Sequence, residues 1–321
     1  MKGFVFIACA LLAGLPAFAQ GTLTLWGRFN TSVESQKFGD APRRAVMQNN
    51  GSRLGLKGDE DLGAGLRASF WLEHGFNADS GAASGTTFWN RASYVELASA
   101  ALGGVRVGQW FPGSYYATAD YVSIFNHDTG TSADALYATR FQTSNKLAYF
   151  SPRAGGWGAE LSVAAGEGTT TRATDASVSY DAGAAHAGLG YERKGSFTQV
   201  ALRGLHEFGP LVLGGYLQRA QDDRPGVGRR HWQVWRLAGM YAVGAAELHV
   251  SVGRAGDILG EDGARQLLLG LNYHLSRRTK LYGFYTRLDN QARAVYTPGG
   301  LSGSAPGADF SALSAGLRHN F

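Results

Sequence analysis

Eight histidines and 25 carboxylates are the raw material for acid–base or metal chemistry in this chain, yet few stand at a useful spacing. Neither HExxH nor CxxC occurs, so the common zinc spacings are absent. Cys9 is the only cysteine, which removes both a disulfide framework and a thiol nucleophile from the rest of the chain. Two acid–histidine pairs remain. Glu247 and His249 share one face of an extended strand, and His127 adjoins Asp128. A hydrolase would need a nucleophile or activated water beside such a pair and a third group to orient it, and adjacency along a strand orients nothing. Both pairs read as polar lining. No catalytic, metal-binding or cofactor-binding residue is assigned.

A second group of chemistry-bearing residues lies in one long stretch, Pro112 to Thr139. Its only carboxylates are Asp120, Asp128 and Asp134, and it is rich in rings: Tyr115, Tyr116, Tyr121, Phe125 and Tyr137, with Phe141 just beyond. Loops of this length without regular structure are uncommon in compact proteins and usually carry function. The carboxylates give the stretch its negative charge, although Asp128-Thr129-Gly130 also reads as a turn. The rings either line a path for a sugar or anchor the loop against a wall, and anchoring is the expectation.

The elements that must position this loop are strands. The chain begins with Lys2, an apolar run from Gly3 to Leu15 and a small-x-small site at Ala17-Phe18-Ala19, the pattern of a cleaved export signal over 1–19. At about 13 residues the run is short for a membrane helix, which needs roughly 20. The remainder, 20–321, reads as one domain. Of 321 residues 44% are hydrophobic, 46 are Gly and only 8 are Pro. A net charge of +5 is too small an excess to suggest nucleic acid.

Hydrophobicity alternates rather than running on. Leu267, Leu269, Leu271, Tyr273 and Leu275 share one face, with Gln266, Gly270, Asn272 and His274 on the other. Leu248, Val250 and Val252 alternate with Glu247, His249 and Ser251, and Leu54 and Leu56 with Arg53 and Lys57. Sixteen such strands are predicted, beginning with 22–34 and 50–59, including 87–98, and ending with 310–321. Short turns alternate with longer connections at Pro112–Thr139, Ala220–Arg230 and Asn290–Asp309. An even number of alternating strands in an exported chain predicts an all-β, 16-stranded antiparallel transmembrane β-barrel, with the long third extracellular loop folded into the lumen. Trp157, Phe208 and Tyr241 beside short turns, and Trp110 and Trp232 beside long ones, are candidates for two aromatic girdles.

Several motifs carry a family likeness. Leu25-Trp26-Gly27-Arg28 and Gly51-Ser52-Arg53-Leu54-Gly55-Leu56-Lys57-Gly58-Asp59 look like the first two strands of the Gram-negative general porins. Leu72-Glu73-His74-Gly75-Phe76-Asn77 and Asn90-Arg91-Ala92-Ser93-Tyr94-Val95 resemble the third and fourth. The ending Gly316-Leu317-Arg318-His319-Asn320-Phe321 is closest to the β-proteobacterial type. The resemblance spans 20–321.

It implies an outer-membrane, multi-pass general porin that is not an enzyme: a water-filled channel for passive diffusion of small hydrophilic solutes and ions. It also implies a homotrimer latched by Asn77–Thr87, contact with bilayer and lipopolysaccharide, and recognition of Leu317 and Phe321 by the barrel-assembly machinery. A basic ladder would face the loop acids across the constriction, and the matching positions are Arg28, Arg53, Arg91 and Arg140. Alternation independently turns Arg53 inward, and for Arg28 it puts Leu23, Leu25 and Phe29 outward. It does not decide Arg91, whose parity Val95 and Leu97 share. Guanidinium stays charged at any physiological pH, and Arg facing lipid at midplane costs roughly 2–4 kcal/mol. The alternative for each is a solvated lumen residue paired with Glu73 or Glu96. Four arginines against three aspartates favour anions modestly. A substrate-specific channel and, further off, a barrel enzyme are the competing readings.

Overall fold

Period-two alternation gives each strand one apolar and one polar face, and the sheet they build is inside out relative to a soluble protein. On the first strand Leu23, Leu25, Phe29 and Val33 are exposed, whereas Asn30, Ser32, Glu34 and Gln36 are at most 2% exposed. The same inversion holds along the chain: Leu269, Leu271 and Tyr273 lie outside while Gln266 and Asn272 are buried. A continuous band of exposed Leu, Val and Phe is stable only against lipid.

The computed structural model describes residues 21–122, 135–141, 143–168, 171–224, 228–298, 301 and 305–321. The expected leader 1–19, and Phe125, His127, Asp128 and Asp134, lie outside the described residues. The first nine strand segments are β1 Thr22–Phe38, β2 Arg44–Asn49, β3 Arg53–Gly63, β4 Leu66–Gly75, β5 Ala92–Ser99, β6 Gly103–Gln109, β7 Lys146–Phe150, β8 Trp157–Ala164 and β9 Ala173–Ala182. They are followed by β10 Ala185–Lys194, β11 Phe197–Phe208, β12 Leu211–Arg224, β13 Gly228–Val243, β14 Ala246–Ala255, β15 Ala264–His274, β16 Thr279–Asn290 and β17 Phe310–Asn320.

All belong to one 17-stranded antiparallel sheet, and β17 pairs back onto β1 from Phe38↔Phe310 to Arg28↔Asn320. The segments β2 and β3 both pair with β1, one above the other, so they form a single stave and the barrel has sixteen. The break between them is held by side chains. Asn30 N donates to Ser52 Oγ at 3.0 Å, and Asn30 Nδ2 donates to the Asn50 carbonyl at 2.9 Å. Closure leaves no unpaired edge among the described strands, and such an edge in hydrocarbon would cost several kcal/mol per orphaned backbone group.

Turns on one rim are tight. Ala64 and Gly65, with φ of +51° and +76°, join β3 to β4 as a two-residue hairpin whose twist matches the strands. Beside this rim's turns Trp157, Phe208 and Tyr241 are exposed, as a girdle requires. Trp110 and Trp232 are not girdle residues. They are 3% and 8% exposed and point into the barrel, Trp110 onto Glu160 and Trp232 against Phe197.

Strand limits also differ from expectation in three places. The first strand runs on to Phe38 and its hairpin partner returns at Arg44, because the polar residues Gln36, Gln48 and Asn49 are lumen or rim residues that mask the alternation. The strand expected from 87 starts at Ala92, since the Asn90 side chain binds Gly75 N at 2.7 Å and turns that stretch out of the ladder. The connection expected over 220–230 is mostly strand, with β12 reaching Arg224 and β13 starting at Gly228.

Candidate functional site

The long connection after β6 enters as a helical turn at Gly113–Tyr115, widening into a π-helical turn at Tyr116–Asp120. What holds it is a row of carboxylates on the inner face of β8, β9 and β10. Glu160 accepts from Trp110 Nε1 at 3.0 Å. Asp175 accepts from Ser114 N at 3.0 Å and from the Ser114 hydroxyl. Glu192 takes the returning limb, accepting from Thr139 Oγ1 at 2.7 Å and Arg140 N at 2.8 Å. Gln218 on β12 adds two bonds to Ala138, at 2.9 and 2.7 Å. Buried carboxylates are tolerable only when bonded in this way. Lys146 on β7, 2% exposed, supplies the nearby positive charge and reaches the Trp110 and Phe111 carbonyls at 3.4 Å.

Two glycines make room for the helical turn. A Cβ on Gly188 would stand 2.1 Å from the Ala117 carbonyl oxygen, and one on Gly190 2.7 Å from that of Ser114. Glycine alternating within β10 is therefore the mark of a close backbone approach. Thr118 packs inward with its hydroxyl 2.9 Å from that of Tyr137. Burial pushes the Tyr137 phenol well above its ordinary range. Tyr115 packs against Tyr137 and Phe141 at 5.6 and 4.9 Å. These rings bind the two limbs of the loop together, whereas Tyr116 and Tyr121 are exposed.

Across the lumen the wall is basic. Glu73 on β4 accepts from Arg91 Nε at 2.6 Å and Arg53 Nη1 at 3.3 Å through one oxygen, and from Trp71 Nε1 at 3.1 Å through the other. Two arginines thus share one carboxylate. Arg91 escapes the parity problem because it precedes β5 rather than belonging to it. Arg28 donates to Asn320 Oδ1 at 3.2 Å. Glu96, the other expected partner, is taken by Arg106 at 2.6 Å, whose guanidinium lies over Tyr94 and Phe150.

The loop faces this wall. Phe111 links the two: its ring lies 6.1 Å from that of Tyr116 and 5.4 Å from the Arg91 guanidinium. The structure brings Arg28, Arg53 and Arg91 together, whereas Asp120, one turn beyond Tyr116, borders a cavity lined by Arg153, Asp181 and Arg203.

Arg140 is elsewhere. It pairs with Asp222 of β12 and lies 4.8 Å from the Phe197 ring of β11, on the far side of the barrel. Its backbone is fixed by Glu192, so its side chain cannot join the arginines of β1 and β3. Leu317 and Phe321 face outward, and Phe321 and Gly27 exchange two backbone bonds of 3.1 Å.

Among the described residues, Lys280 and Arg318 are lumen cations that were not singled out from the sequence. Lys280 stands opposite Arg318 across β16 and β17, Asn320 opposite Arg28 across β17 and β1, and Arg28 opposite Arg53 across β1 and β3. Four cations thus run across four successive staves. Parity could have found them, since Leu281, Leu313 and Leu317 mark the outer face of those strands. Glu247, the partner of His249 in the sequence, accepts from Asn272 at 2.8 Å and lies 3.4 Å from His249 and 3.0 Å from His274.

Residues 6–293 match the family model of the Gram-negative porins. Outer membrane porin protein 32 of Delftia acidovorans is 30% identical over 100% of both chains. Major outer membrane protein P.IB of Neisseria meningitidis serogroup B is 25% identical, covering 94% of this chain and 82% of its own. Among solved structures, an anion-selective porin from Comamonas acidovorans superposes with a TM-score of 0.81 at 27% identity, covering 94% of this chain and 100% of that one. OmpT of Vibrio cholerae, at 17% identity and a TM-score of 0.71, shares the fold. Family match, full-length relative and closed sixteen-stave barrel agree, and the chain belongs to the Gram-negative porins, outer-membrane channel proteins that cross the bilayer many times.

Proposed function

We propose that this porin is a general diffusion channel that favours anions, with its constriction between the loop turn at Tyr116–Asp120 and the wall arginines Arg28, Arg53 and Arg91. The observation that carries this reading is the Arg53–Glu73–Arg91 cluster with Arg28 beside it. Arg53 and Arg91 share the carboxylate of Glu73, Arg28 stands opposite Arg53, and the only described acid of the loop is Asp120. Charges at the narrowest ring set selectivity in a wide pore, and screening restricts the effect to charges within about 8–10 Å of the ion. The solved relative described as anion-selective supports the sign.

The same reading makes the protein a homotrimer without enzymatic activity, exported by a leader cleaved near Ala19. It is assembled through Leu317 and Phe321 and surrounded by lipopolysaccharide. The test is planar-bilayer recording of purified protein under a KCl gradient. A reversal potential on the chloride side, with current steps in threes, is expected. A potassium-side potential would leave the pore standing and overturn the anion preference, and a folded barrel without conductance would overturn the channel.

A further inference from the structure

Asp175 holds the start of the long loop and Glu192 its return, and the described end of the first limb has a third hold. Tyr121 lies one residue past the π-helical turn, and its ring covers the Arg203 guanidinium of β11 at 3.7 Å. The Arg203 side chain is fully buried, and its Nη2 donates to the Ala187 carbonyl. Gly188 of β10 makes room for it, since a Cβ there would stand 2.9 Å from Arg203 Nε. The Tyr121 hydroxyl is 2.8 Å from Nδ1 of His186, also on β10. His186 stands between two carboxylates: Asp181 Oδ1 is 3.1 Å from Nδ1, and Glu207 Oε1 is 3.5 Å from Nε2. Asp181 is also 3.8 Å from Arg203 and 3.7 Å from Arg153, and Tyr180 and His206 border a groove that reaches His186 from behind. Between the turn and the wall is a cavity of about 410 Å³, bounded by Tyr116, Asp120 and Tyr121 of the loop and by Ser177 and Ser179 of β9.

We propose that His186 is a proton-sensitive positioning residue of the constriction: neutral, it holds Tyr121 and keeps the turn forward, and protonated, it loosens the turn toward the cavity behind it. The proposal rests on the reading that the turn at Tyr116–Asp120 borders the constriction. With its proton on Nε2, neutral His186 accepts from the Tyr121 hydroxyl at Nδ1 and donates toward Glu207, so both ring nitrogens are used. A proton on Nδ1 turns that nitrogen into a donor. Ionised Asp181 is then the stronger acceptor, so the new N–H turns to the carboxylate and the phenol loses its partner. The imidazolium also competes with Arg203 for Asp181 Oδ1, the oxygen both approach. Histidine is the side chain that changes charge between about pH 5 and 8. The guanidinium of Arg203 stays under the ring, so the turn is loosened and not released.

The experiment is single-channel conductance of the intact porin in bilayers, recorded from about pH 8 to about pH 5. The parent conductance is expected to rise about twofold on acidification, the scale of one lost hydrogen bond. His186→Gln keeps an acceptor for the phenol but takes up no proton, and it should hold the parent's high-pH conductance throughout. Tyr121→Phe keeps the ring over Arg203 and removes the hydroxyl, and it should show the parent's low-pH conductance throughout. His249 and His274, on β14 and β15, titrate in parent and variants alike, so their share cancels. A purely structural His186 would leave the pH profile of the variant unchanged. A parent conductance independent of pH, or a His186→Gln variant that keeps the rise, overturns the proposal. If His186→Gln does not fold, Tyr121→Phe carries the comparison, and a full pH-dependent rise in it overturns the proposal equally. Asp120→Asn, read by its reversal potential, reports separately on the turn. No shift there fails the constriction reading, whereas a shift beside a flat parent pH profile fails only the role of His186.

Discussion

Two walls of one lumen carry charge in opposite ways. On β8, β9 and β10 the charges are carboxylates, and the groups they bind belong to the loop: Glu160 to Trp110, Asp175 to Ser114, Glu192 to Thr139 and Arg140. On β16, β17, β1 and β3 four cations, Lys280, Arg318, Arg28 and Arg53, are set next to one another, with Glu73 as the shared partner of Arg53 and Arg91. The first wall spends its charge on holding a segment of backbone inside a barrel. The second leaves a positive surface facing that segment. The comparison teaches that a charged residue in a pore is an anchor or a selector according to what lies over it, since a charge bonded to the loop is screened from the ion and one facing the lumen is not.

The largest break in this contrast should come from the anchoring wall. Asp175→Ala orphans the Ser114 N–H and hydroxyl, groups whose loss of a partner costs about 1–3 kcal/mol. The barrel should lose its folded, fast-migrating form on gels at a lower temperature. Single-channel conductance should rise severalfold as the loop turn leaves the wall. Unchanged conductance would mean the remaining anchors suffice.

On the selecting wall, Glu73→Gln removes the carboxylate shared by Arg53 and Arg91. One unit charge about 7 Å from the ion path in water shifts chloride and potassium by about 0.6 kcal/mol each in opposite directions, or about sevenfold in the chloride-to-potassium permeability ratio. The ratio should rise by that factor in dilute KCl and return toward the parent value near 1 M, where the screening length is about 3 Å. A fall instead would show that Glu73 matters by holding the arginines in place.

The smallest effect is expected from Arg140→Gln. Arg140 is a half-exposed partner of Asp222 outside the basic row, and such pairs contribute at most about 1 kcal/mol. The permeability ratio should stay within about 1.5-fold of the parent value in the same recording. A larger drop would return Arg140 to the selecting wall.

Much of the fold was legible because each strand declares its own faces. Leu54 and Leu56 outward turn Arg53 inward whatever its neighbours do, and Leu281 and Leu317 would have done the same for Lys280 and Arg318. The loop was legible as an interruption, and its rings as anchors, since Tyr115 and Tyr137 pack on each other rather than line a path. Trp110 and Trp232 were misplaced because proximity to a strand end does not say which face a side chain takes. The anchoring acids went unremarked because Glu160, Asp175 and Glu192 look like any lumen residues until the loop lies over them.

By itself the sequence determined a β-barrel of sixteen staves, an inner and an outer face for most residues, and one segment that does not belong to the wall, all through period-two hydrophobicity, a property of a few consecutive residues. Only the tertiary structure decided which inward charges are neighbours. Arg28 meets Asn320 across 292 positions because the last strand closes on the first, and Arg140 meets Asp222 because Glu192 fixes its backbone. Parity is set locally, but register and closure are set by the whole ring, and in a pore the chemistry depends on which charges the ring brings side by side.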